Sequence, residues 1–395
     1  MIALLTLGLY PSSGGPSKSI RAFAQALDAR VISWVDPAER MHEPLVWDET
    51  LEVTGHRTPI LKQLQVPAAG TAAAEAVIAQ ARLVSVHSFW RWHIRWVHRV
   101  CRKHGVPYWY VPHGSLDPYV MQGRDAPLKR AFMAGVGRAF LRDAATIICA
   151  TAREAEKASP LVGHNRAEVI HWPLGEGDLA PRDAARRGAT RARLGIPHDA
   201  PVFLYLGRLS PMKRPLETIT SFARASAPGA HLVVTGNDFG VTVEDCRVAA
   251  AEAGVADRVH VTGPAYGDDK AALLDAADVY LSLSHRENFN FTAAEALAAG
   301  LALVLSPGND LGPALAALPG VTLLPDTAPA TAAAAIAAEA RALDPADHGA
   351  EIRTTWAARH LAPETFAARV RAAADRHARP AAAALAVGQQ QRQVP

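Results

Sequence analysis

Residues 285–300 read HRENFNFTAAEALAAG and hold two glutamates, Glu287 and Glu295, that stand eight positions apart. The apolar run Val279–Leu283 precedes them and is typical of a buried parallel strand, while the apolar residues that follow have helical spacing. This pattern predicts that Glu287 lies in a strand-to-helix loop and that Glu295 lies about one turn into the helix. In an open parallel sheet, ligands bind at the carboxyl ends of the strands, where a helix start also attracts phosphate. We therefore expect one acid to grip a reacting group and the other to hold the far end of an anionic, sugar-bearing ligand.

The second half of this stretch also has a simpler explanation. The tetrapeptide TAAE, residues 292–295, has the spacing of a capping box, in which Glu295 would only satisfy free N–H groups at the helix start. From this segment alone the capping role and the binding role both stay open, and the rest of the chain favours binding.

The composition excludes several classes of protein. A length of 395 residues favours two domains over one core, and 49% hydrophobic with 20% charged residues is typical of a soluble globular protein. The net charge of +3 is too small to indicate nucleic acid binding. Three scattered cysteines indicate buried thiols in a reducing compartment. No apolar run is long enough to span a membrane, and the N-terminal MIALLTLGLY predicts a first strand, not a signal peptide.

Short apolar runs alternate with helical patterns along the chain, which predicts a parallel α/β architecture. Residues Pro173–Arg193 predict a linker followed by a short basic helix, with a domain boundary near residue 176. An amphipathic helix is predicted at Pro363–His377, and the tail from Arg379 has too little to bury to be ordered. The predicted strands are Ile2–Leu7, Leu83–His87, Tyr108–Val111, Thr146–Ala150, Val169–Ile170, Val202–Leu206, His231–Thr235, Val259–Thr262, Val279–Leu283, Ala302–Leu305 and Val321–Leu324.

Two further strand-to-helix loops carry groups suited to an anion. In GRLSPMKRP, residues 207–215, Arg208 and Lys213 are able to neutralise a departing diphosphate without a metal, although such a loop is also compatible with simple solvation. After the first strand, Gly14 and Gly15 let backbone N–H groups approach an anion or a sugar, or form an ordinary turn with a serine cap.

Two histidines end neighbouring predicted strands. His113 stands beside a glycine in YVPHGSLDPY, residues 110–119, and His87 ends the preceding strand. Each is a candidate ligand for a substrate, and the alternative for His113 is a structural role, bonded to a backbone carbonyl.

No metal or cofactor pattern is evident. The histidines and cysteines form no His-x3-His or Cys-x2-Cys cluster with a third ligand, and an Asp-x-Asp pattern is absent. Gly135-Val136-Gly137 lacks a third glycine and does not follow a strand, so a nicotinamide cofactor is not expected.

A basic segment stands apart from these motifs, because residues 76–116 contain no Asp or Glu. The predicted helix Phe89–His104 suits a membrane interface, and the alternative is a sheet-covering helix with a solvated basic face. Its basic face comprises Arg91, Arg95, His98 and Arg102; its apolar face comprises Phe89, His93, Val97, Val100 and Cys101; Trp92 and Trp96 stand at the border.

Taken in order, these segments resemble the retaining GT-B glycosyltransferases of family 4 over roughly residues 1–378. In the Glu-x7-Glu motif of that family, Glu287, Asn288 and Phe289 match, while Asn290 stands where glycine is usual. The resemblance implies catalytic roles for His113, Arg208, Lys213 and Glu287, and substrate-binding roles for Gly14, Gly15, His87, Asn288, Phe289, Asn290, Phe291, Thr292 and Glu295, with Glu295 on the nucleotide ribose.

The resemblance also implies two Rossmann-like, doubly wound parallel-sheet domains that face a central cleft. Residues 1–176 would bind the acceptor and residues 177–361 the nucleotide sugar, while residues 362–378 would return to the first domain and residues 379–395 would form a disordered tail.

The function implied is metal-independent, retaining transfer of a hexose from a UDP- or GDP-linked sugar to a hydroxyl of a glycan, a lipid-linked saccharide or a small molecule, in polysaccharide or glycoconjugate biosynthesis. We expect a cytoplasmic enzyme that contacts the inner face of the plasma membrane through Arg91, Arg95 and Arg102. Two alternatives stay open: a non-catalytic sugar-nucleotide-binding subunit, which Asn290 keeps in view, and a sugar-nucleotide epimerase of the same fold.

Overall fold

The computed structural model describes residues 1–8, 15–35, 50–55, 67–123, 125–163, 166–343 and 348–380. The chain divides into two compact units. The first unit comprises Met1–Pro173 and the chain from Pro363 onward, and the second comprises Leu174–Ala362. The division therefore falls between Pro173 and Leu174, close to residue 176, where the composition changes.

In the first unit, the described strands form a sheet of order β4-β3-β2-β1-β5-β6-β7-β8, parallel throughout except for the antiparallel pair β3–β4. The strands are β1 (Ile2–Leu7), β2 (Ala29–Val35), β3 (Leu51–Gly55), β4 (Pro67–Ala69), β5 (Val84–His87), β6 (Tyr108–Val111), β7 (Ile147–Cys149) and β8 (Ala167–Val169). The helices are α1 (Gly15–Leu27), α2 (Thr71–Gln80), α3 (His93–Lys103), α4 (Ala126–Phe132), α5 (Arg138–Asp143) and α6 (Ala152–Val162), with a π-helical segment at Met133–Gly137.

In the second unit, the described strands form an all-parallel sheet of order β11-β10-β9-β12-β13-β14. The strands are β9 (Val202–Leu206), β10 (His231–Thr235), β11 (Val259–Gly263), β12 (Val279–Ser282), β13 (Ala302–Leu305) and β14 (Val321–Leu323). The helices are α7 (Ala184–Arg193), α8 (Pro215–Ala225), α9 (Val243–Glu252), α10 (Gly267–Ala276), α11 (Phe291–Ala298), α12 (Gly312–Leu315), α13 (Pro329–Ala342) and α14 (His348–Leu361).

Each sheet reverses its strand order beside its first strand. In the first unit β1 lies between β2 and β5, and in the second unit β9 lies between β10 and β12. Central strands such as β9 are buried along their whole length, which explains their continuous apolar sequences. At such a switch point the loops that leave neighbouring strands diverge and open a crevice for a ligand. The loops after β1 and β5, and those after β9 and β12, are therefore the places where a site is expected.

The last helix, α15 (Pro363–His377), belongs to the first unit, where it packs against α1. The ring centroids of Phe366 and Phe23 lie 5.0 Å apart in an edge-to-face arrangement, and Arg371 Nε donates to the carbonyl of Ala26 at 2.8 Å. The amphipathic pattern of this helix is thus explained by its position over the core of the first unit.

The predicted start of the disordered tail at Arg379 is wrong. The Arg379 guanidinium donates to the carbonyls of Ala79, Ala81 and His104, and its backbone N–H donates to Arg82. These bonds close the end of α2 and the turn after α3. Residues 381–395 of the predicted tail lie outside the described residues.

Three strands of the first unit, β2, β3 and β4, were not predicted. β2 follows α1 after the single residue Asp28, whose φ of 46° turns the chain without a glycine or proline to mark the boundary. β3 and β4 are short, and β4 forms the antiparallel edge of the sheet. β8 also lies earlier than its predicted position at Val169–Ile170.

The short basic helix predicted after the linker is α7, and its arginines tie it to the turn between α10 and β12. Arg187 Nη2 and Arg191 Nη2 donate to the two carboxylate oxygens of Asp278 at 2.7 and 2.8 Å, and Arg186 Nε donates to Asp275 at 2.5 Å. Arg191 is buried, so its charge is a structural clamp and not a solvated surface. None of the helices in the described ranges is both long and apolar enough to cross a membrane.

Candidate functional site

The loop after β12 brings Glu287 to the loop after β9. Lys213 Nζ lies 2.7 Å from Glu287 Oε1, and Ser284 Oγ donates to the same oxygen at 2.8 Å. The backbone N–H of Glu287 donates to the carbonyl of Gly308 at 2.8 Å, which ties the loop to the one after β13. The two charged side chains are largely buried, so their attraction is less screened than that of a surface pair. An acid and a base from two separate loops therefore meet at this switch point.

Arg208 shares the loop of Lys213 but has a different environment. Its side chain is exposed, and its Cζ lies 4.6 Å from the centroid of the Phe239 ring. The carbonyl of Arg208 accepts a hydrogen bond from the Tyr205 hydroxyl at 2.9 Å. The two cations predicted to meet a diphosphate are therefore held in two ways, one by a carboxylate and one by an aromatic ring.

Asn290, the departure from the family motif, has φ 54° and ψ 73°. This left-handed conformation is the one that glycine normally supplies, and asparagine is among the few other residues that adopt it readily. Its Oδ1 caps α11 by accepting from the N–H of Ala293 at 3.3 Å, and its Nδ2 donates to Asn309 Oδ1 at 2.5 Å. Asn290 thus supplies a left-handed turn of the kind that glycine allows and adds a helix cap.

Glu295 is not the capping residue that the TAAE spacing suggested, because α11 begins after Asn290 and that asparagine caps it. The Glu295 side chain is 2% exposed, and its Oε1 lies 3.0 Å from Lys270 Nζ, which also binds Asp178 Oδ1 at 2.7 Å. Burial acts to lower the pKa of Lys270, but the two carboxylates outweigh it and raise the pKa. A cavity of about 280 Å³ lies beside Lys270 and Asp178.

Of the remaining residues of the predicted sugar loop, the two phenylalanines pack against each other, and the other two have polar side chains. Phe289 is buried, with its ring 5.1 Å from that of Phe291. Thr292 Oγ1 donates to Asn290 Oδ1 at 2.8 Å. The side-chain oxygen of Asn288 is buried without a hydrogen-bond partner among the residues the structure describes. An orphaned polar atom at a candidate site is the kind of group that a ligand or an ordered water satisfies.

In the first unit, His87 and His113 contact each other at the ends of β5 and β6. His87 Nδ1 lies 2.8 Å from His113 Nε2, and the rings stack with centroids 5.1 Å apart. The outer nitrogens bond to serines: Ser85 Oγ lies 2.9 Å from His87 Nε2, and Ser19 Oγ lies 3.4 Å from His113 Nδ1. The expected alternative for His113, a bond to a backbone carbonyl, is wrong, because both ring nitrogens contact side chains.

The two groups at the ends of this row of hydrogen bonds determine where its protons lie. Trp109 Nε1, which only donates, lies 2.5 Å from Ser85 Oγ, and the carbonyl of Pro16, which only accepts, receives the Ser19 hydroxyl at 3.0 Å. Every bond between them is satisfied if each histidine accepts at Nε2 and donates from Nδ1. Both rings are then neutral, with one ordered sequence of donors from the core to the start of α1.

The pKa values agree with neutral rings. Burial lowers the pKa of His113 to about 4, and burial together with the charge of His113 lowers the pKa of His87 well below its usual value. Glu154 supports the loop by accepting from the N–H groups of Gly114 and Ala150, each at 2.7 Å. Gly15 is the first residue of α1, and Gly14 lies outside the described residues.

The predicted basic face differs from the structure at two residues, because Arg91 precedes α3 and His98 faces the core. His98 is buried and its Nε2 bonds to Asp143 Oδ2 at 2.9 Å, so it does not share the exposed face of Arg91, Arg95 and Arg102. The helix begins at His93, after the buried Phe89. The two tryptophans at the border of this face already have partners within the protein. The ring centroids of Trp96 and Trp34 lie 5.1 Å apart, and Arg95 Cζ lies 4.7 Å from the centroid of the Trp92 ring.

The structure thus assembles Lys213, Glu287 and the Asn290 network in the second unit, and His87 with His113 in the first. Lys270, Phe239 and Asn309 take part in these networks and were missed, because no local pattern links them to residues far away in the chain. Among the described residues, no three or more His, Cys, Asp or Glu side chains are grouped closely enough to hold a metal ion.

Comparison with known families gives two matches along the chain. Residues 186–338 match the family described as glycosyl transferases group 1, and residues 14–175 match the glycosyl transferase 4-like domain. The two matches leave only residues 176–185 between them and together cover most of the chain. The chain belongs to the group 1 glycosyltransferases.

Curated relatives of this glycosyltransferase include D-inositol 3-phosphate glycosyltransferases. The protein of Actinosynnema mirum is 31% identical over 255 residues, which is 61% of this chain and 60% of the relative; that of Xylanimonas cellulosilytica is 34% identical over 166 residues, 40% and 39%. The chain therefore spans less than two thirds of the length of these relatives.

Solved structures show the GT-B fold. Anabaena Alr3699/HepE in complex with UDP has a TM-score of 0.75 at 17% identity, over 94% of this chain and 99% of that one. WaaG, a glycosyltransferase involved in lipopolysaccharide biosynthesis, has a TM-score of 0.64 at 16% identity, over 94% and 99%. The prediction of two parallel-sheet α/β domains of the GT-B type is confirmed.

Proposed function

We propose that this glycosyltransferase moves a hexose from a nucleotide sugar to a hydroxyl group with retention at the anomeric carbon. The observation that carries the proposal is the Lys213–Glu287 pair, 2.7 Å apart at the switch point of the second unit, with the exposed cation Arg208 on the same loop as Lys213. Such a site offers two positive charges to a diphosphate and one carboxylate to a sugar hydroxyl.

The ion pair suits the arrival of a nucleotide sugar. Glu287 neutralises Lys213 and holds its ammonium group in place, so little reorganisation is needed when a diphosphate binds. A diphosphate competes for the ammonium group, and the carboxylate then becomes available to the hydroxyl groups of the sugar. Asn288 and Asn290 follow that carboxylate on the same loop and supply further polar groups.

Transfer with retention follows from attack on the face that the diphosphate leaves. The bond between the anomeric carbon and the phosphate oxygen breaks, the acceptor oxygen bonds to that carbon, and the hydroxyl proton passes to the departing phosphate. Arg208 and Lys213 would stabilise the charge that develops on the diphosphate. His113, neutral and ordered by His87, would donate from Nδ1 to a substrate hydroxyl in exchange for its long contact of 3.4 Å with Ser19 Oγ.

The names of related proteins suggest the chemistry of the partners. HepE was solved with UDP-glucose, which supports a UDP-linked hexose as the donor, with GDP-linked sugars as the next class to test. The inositol phosphate glycosyltransferases support a small polyol phosphate among the acceptors. A glycan or lipid-linked saccharide of polysaccharide or glycoconjugate biosynthesis is the other acceptor class, and it suits a cytoplasmic enzyme that contacts the membrane through Arg91, Arg95 and Arg102. The first unit would bind the acceptor and the second the nucleotide sugar.

The test begins with thermal melting of the pure protein in UDP-, GDP- and ADP-sugars, since a ligand at 100 times its dissociation constant adds about 2.7 kcal/mol of stability. NMR of the product formed from the stabilising donor then reports the anomeric configuration. Stabilisation without turnover on any acceptor or water would favour the non-catalytic subunit, and release of an epimerised sugar without an acceptor would favour the epimerase. Activity that persists in EDTA supports the metal-independent mechanism, whereas activity lost on chelation and restored by Mn²⁺ or Mg²⁺ contradicts it.

A further inference from the structure

Phe239 is an exposed aromatic side chain at the edge of the proposed diphosphate site. It lies on the loop that leaves β10, and 56% of its surface is exposed. Burial therefore does not explain a large apolar residue at this position. Its notable contact is with Arg208, whose Cζ lies 4.6 Å from the ring centroid.

The backbone holds these two residues in register. Leu209, next to Arg208, exchanges hydrogen bonds with the Phe239 loop: its N–H donates to Asn237 at 2.8 Å, and its carbonyl accepts from Phe239 at 3.0 Å and from Val241 at 3.1 Å. At the base of the loops, a Cβ on Gly236 would lie 1.8 Å from the carbonyl oxygen of Gly207. The two loops are thus in contact at a point that only glycine permits, and the backbones of Phe239 and Arg208 are held in register.

The bonding of the Arg208 guanidinium differs from that of the Lys213 ammonium group on the same loop. Lys213 is paired with Glu287, whereas the Arg208 guanidinium has no hydrogen bond or ion pair within the part of the chain that the structure describes. A guanidinium over an aromatic face can keep its N–H groups available at its edge, where they match the paired oxygens of a phosphate. The ring can therefore order the cation without occupying its donors.

We propose that Phe239 is a positioning residue that holds the Arg208 guanidinium ready for a nucleoside diphosphate. This proposal rests on the proposed function, because it takes the diphosphate to bind between the loops after β9 and β12. The ring contributes through Arg208 and not through a contact of its own with the ligand. It limits the conformations that the exposed arginine explores, so less order is lost when the phosphate binds.

The experiment is isothermal titration of UDP into the full chain carrying substitutions at Phe239 and Arg208. Phe239→Leu keeps an apolar side chain but removes the ring, and Phe239→Trp keeps an aromatic face. We expect Phe239→Leu to weaken UDP binding roughly two- to fivefold, the scale of an exposed cation–π contact, and Phe239→Trp to restore it. Val248→Ala, at another exposed apolar residue of the same unit, is the matched control and is expected to bind UDP like the wild type.

The double variant separates positioning from direct contact. If the ring acts through the cation, Phe239→Leu has no further effect in an Arg208→Ala background. An equal loss in both backgrounds, or wild-type affinity in the Phe239→Leu variant, would overturn the proposal. Melting temperatures of all variants are expected to match the wild type, because both side chains are exposed.

The design also distinguishes this proposal from the proposed function. If the wild type binds UDP and Arg208→Ala weakens it while Phe239→Leu does not, the role of Phe239 is wrong and the function stands. A wild type that binds none of UDP, GDP and ADP would overturn both.

Discussion

The crevice beside β1 in the first unit and the crevice beside β9 in the second occupy equivalent places in their sheets but differ in charge. The first holds His87 and His113, both neutral, in one directed sequence of hydrogen bonds. The second holds the Lys213–Glu287 ion pair and the stacked cation Arg208. The same architecture therefore supports two kinds of polar site, and the difference resides in the loops.

This difference suits a reaction with two dissimilar partners. A neutral, ordered imidazole can orient a hydroxyl group without attracting phosphate, while paired and stacked cations can accept a diphosphate and its growing negative charge. The fold alone assigns neither role, because folds of this class serve many reactions. Variants that affect one crevice and spare the other test whether the division holds.

The largest effect is expected at Lys213. Lys213→Ala should slow sugar transfer by roughly 10²–10³-fold, the scale for loss of one donor to a transition state, and should weaken nucleoside diphosphate binding. His113→Gln is the matched change in the other crevice and should leave diphosphate affinity intact. Steady-state kinetics with titration calorimetry measures both, and equal losses of diphosphate affinity in the two variants would break the comparison.

A substitution at Glu295 tests whether the charged crevice extends as far as this residue. As a ribose ligand, Glu295→Gln should weaken nucleotide binding roughly tenfold, the scale of one charged hydrogen bond. Lys270→Met removes the partner of Glu295 and controls for the loss of their ion pair. Calorimetry is read beside thermal melting. Two variants that melt lower and bind nucleotide normally would show that the pair is purely structural.

Sequence reasoning performed best where the signal is local and worst where a contact spans the chain. Strands such as Val202–Leu206 were predicted residue for residue, because a buried parallel strand is a continuous apolar run between turns. The Lys270–Glu295 pair had no such signal, since it joins separate helices. His98 was misplaced because helical spacing left it between two faces, and Asp143, on another helix, stabilises it in the buried one.

Acid should weaken the first unit through its neutral histidines. In the unfolded chain His87 and His113 titrate near 6.5, whereas in the folded protein the pKa of His113 is about 4 and that of His87 is lowered. Between pH 6.5 and the lowered folded-state values, only the unfolded chain binds these protons. The contribution of the two histidines to the free energy of unfolding is therefore fully present above pH 6.5 and is lost as the pH falls toward 4. Melting curves should show a drop on the order of 5 °C from neutral pH to about pH 5. His113→Gln should reduce the drop, and an unchanged drop would contradict the neutral crevice.

The smallest effect is expected on the outer surface of the first unit. If the basic face of α3 meets anionic lipid, each arginine contributes on the order of 1 kcal/mol, which gives weak and salt-sensitive binding. Vesicle co-sedimentation at low salt should be lost in an Arg91/Arg95/Arg102→Glu triple variant. Arg193, Arg247 and Arg341, exposed on the second unit, provide a triple control that should bind vesicles normally. If both triple variants sediment equally with the vesicles, the basic face does not bind lipid and is only a solvated surface.

Because α15 belongs to the first unit, the second unit is inserted within the sequence of the first. The chain enters and leaves the inserted segment at neighbouring points, because the N–H of Leu174 donates to the carbonyl of Leu361 at 2.9 Å. Adjacent ends are what allow a domain to be excised, transplanted or circularly permuted without loss of its fold. Residues 174–362 are thus a natural module for recombination. A fragment of that length, expressed alone, is expected to keep the six-stranded sheet and the Lys213–Glu287 pair.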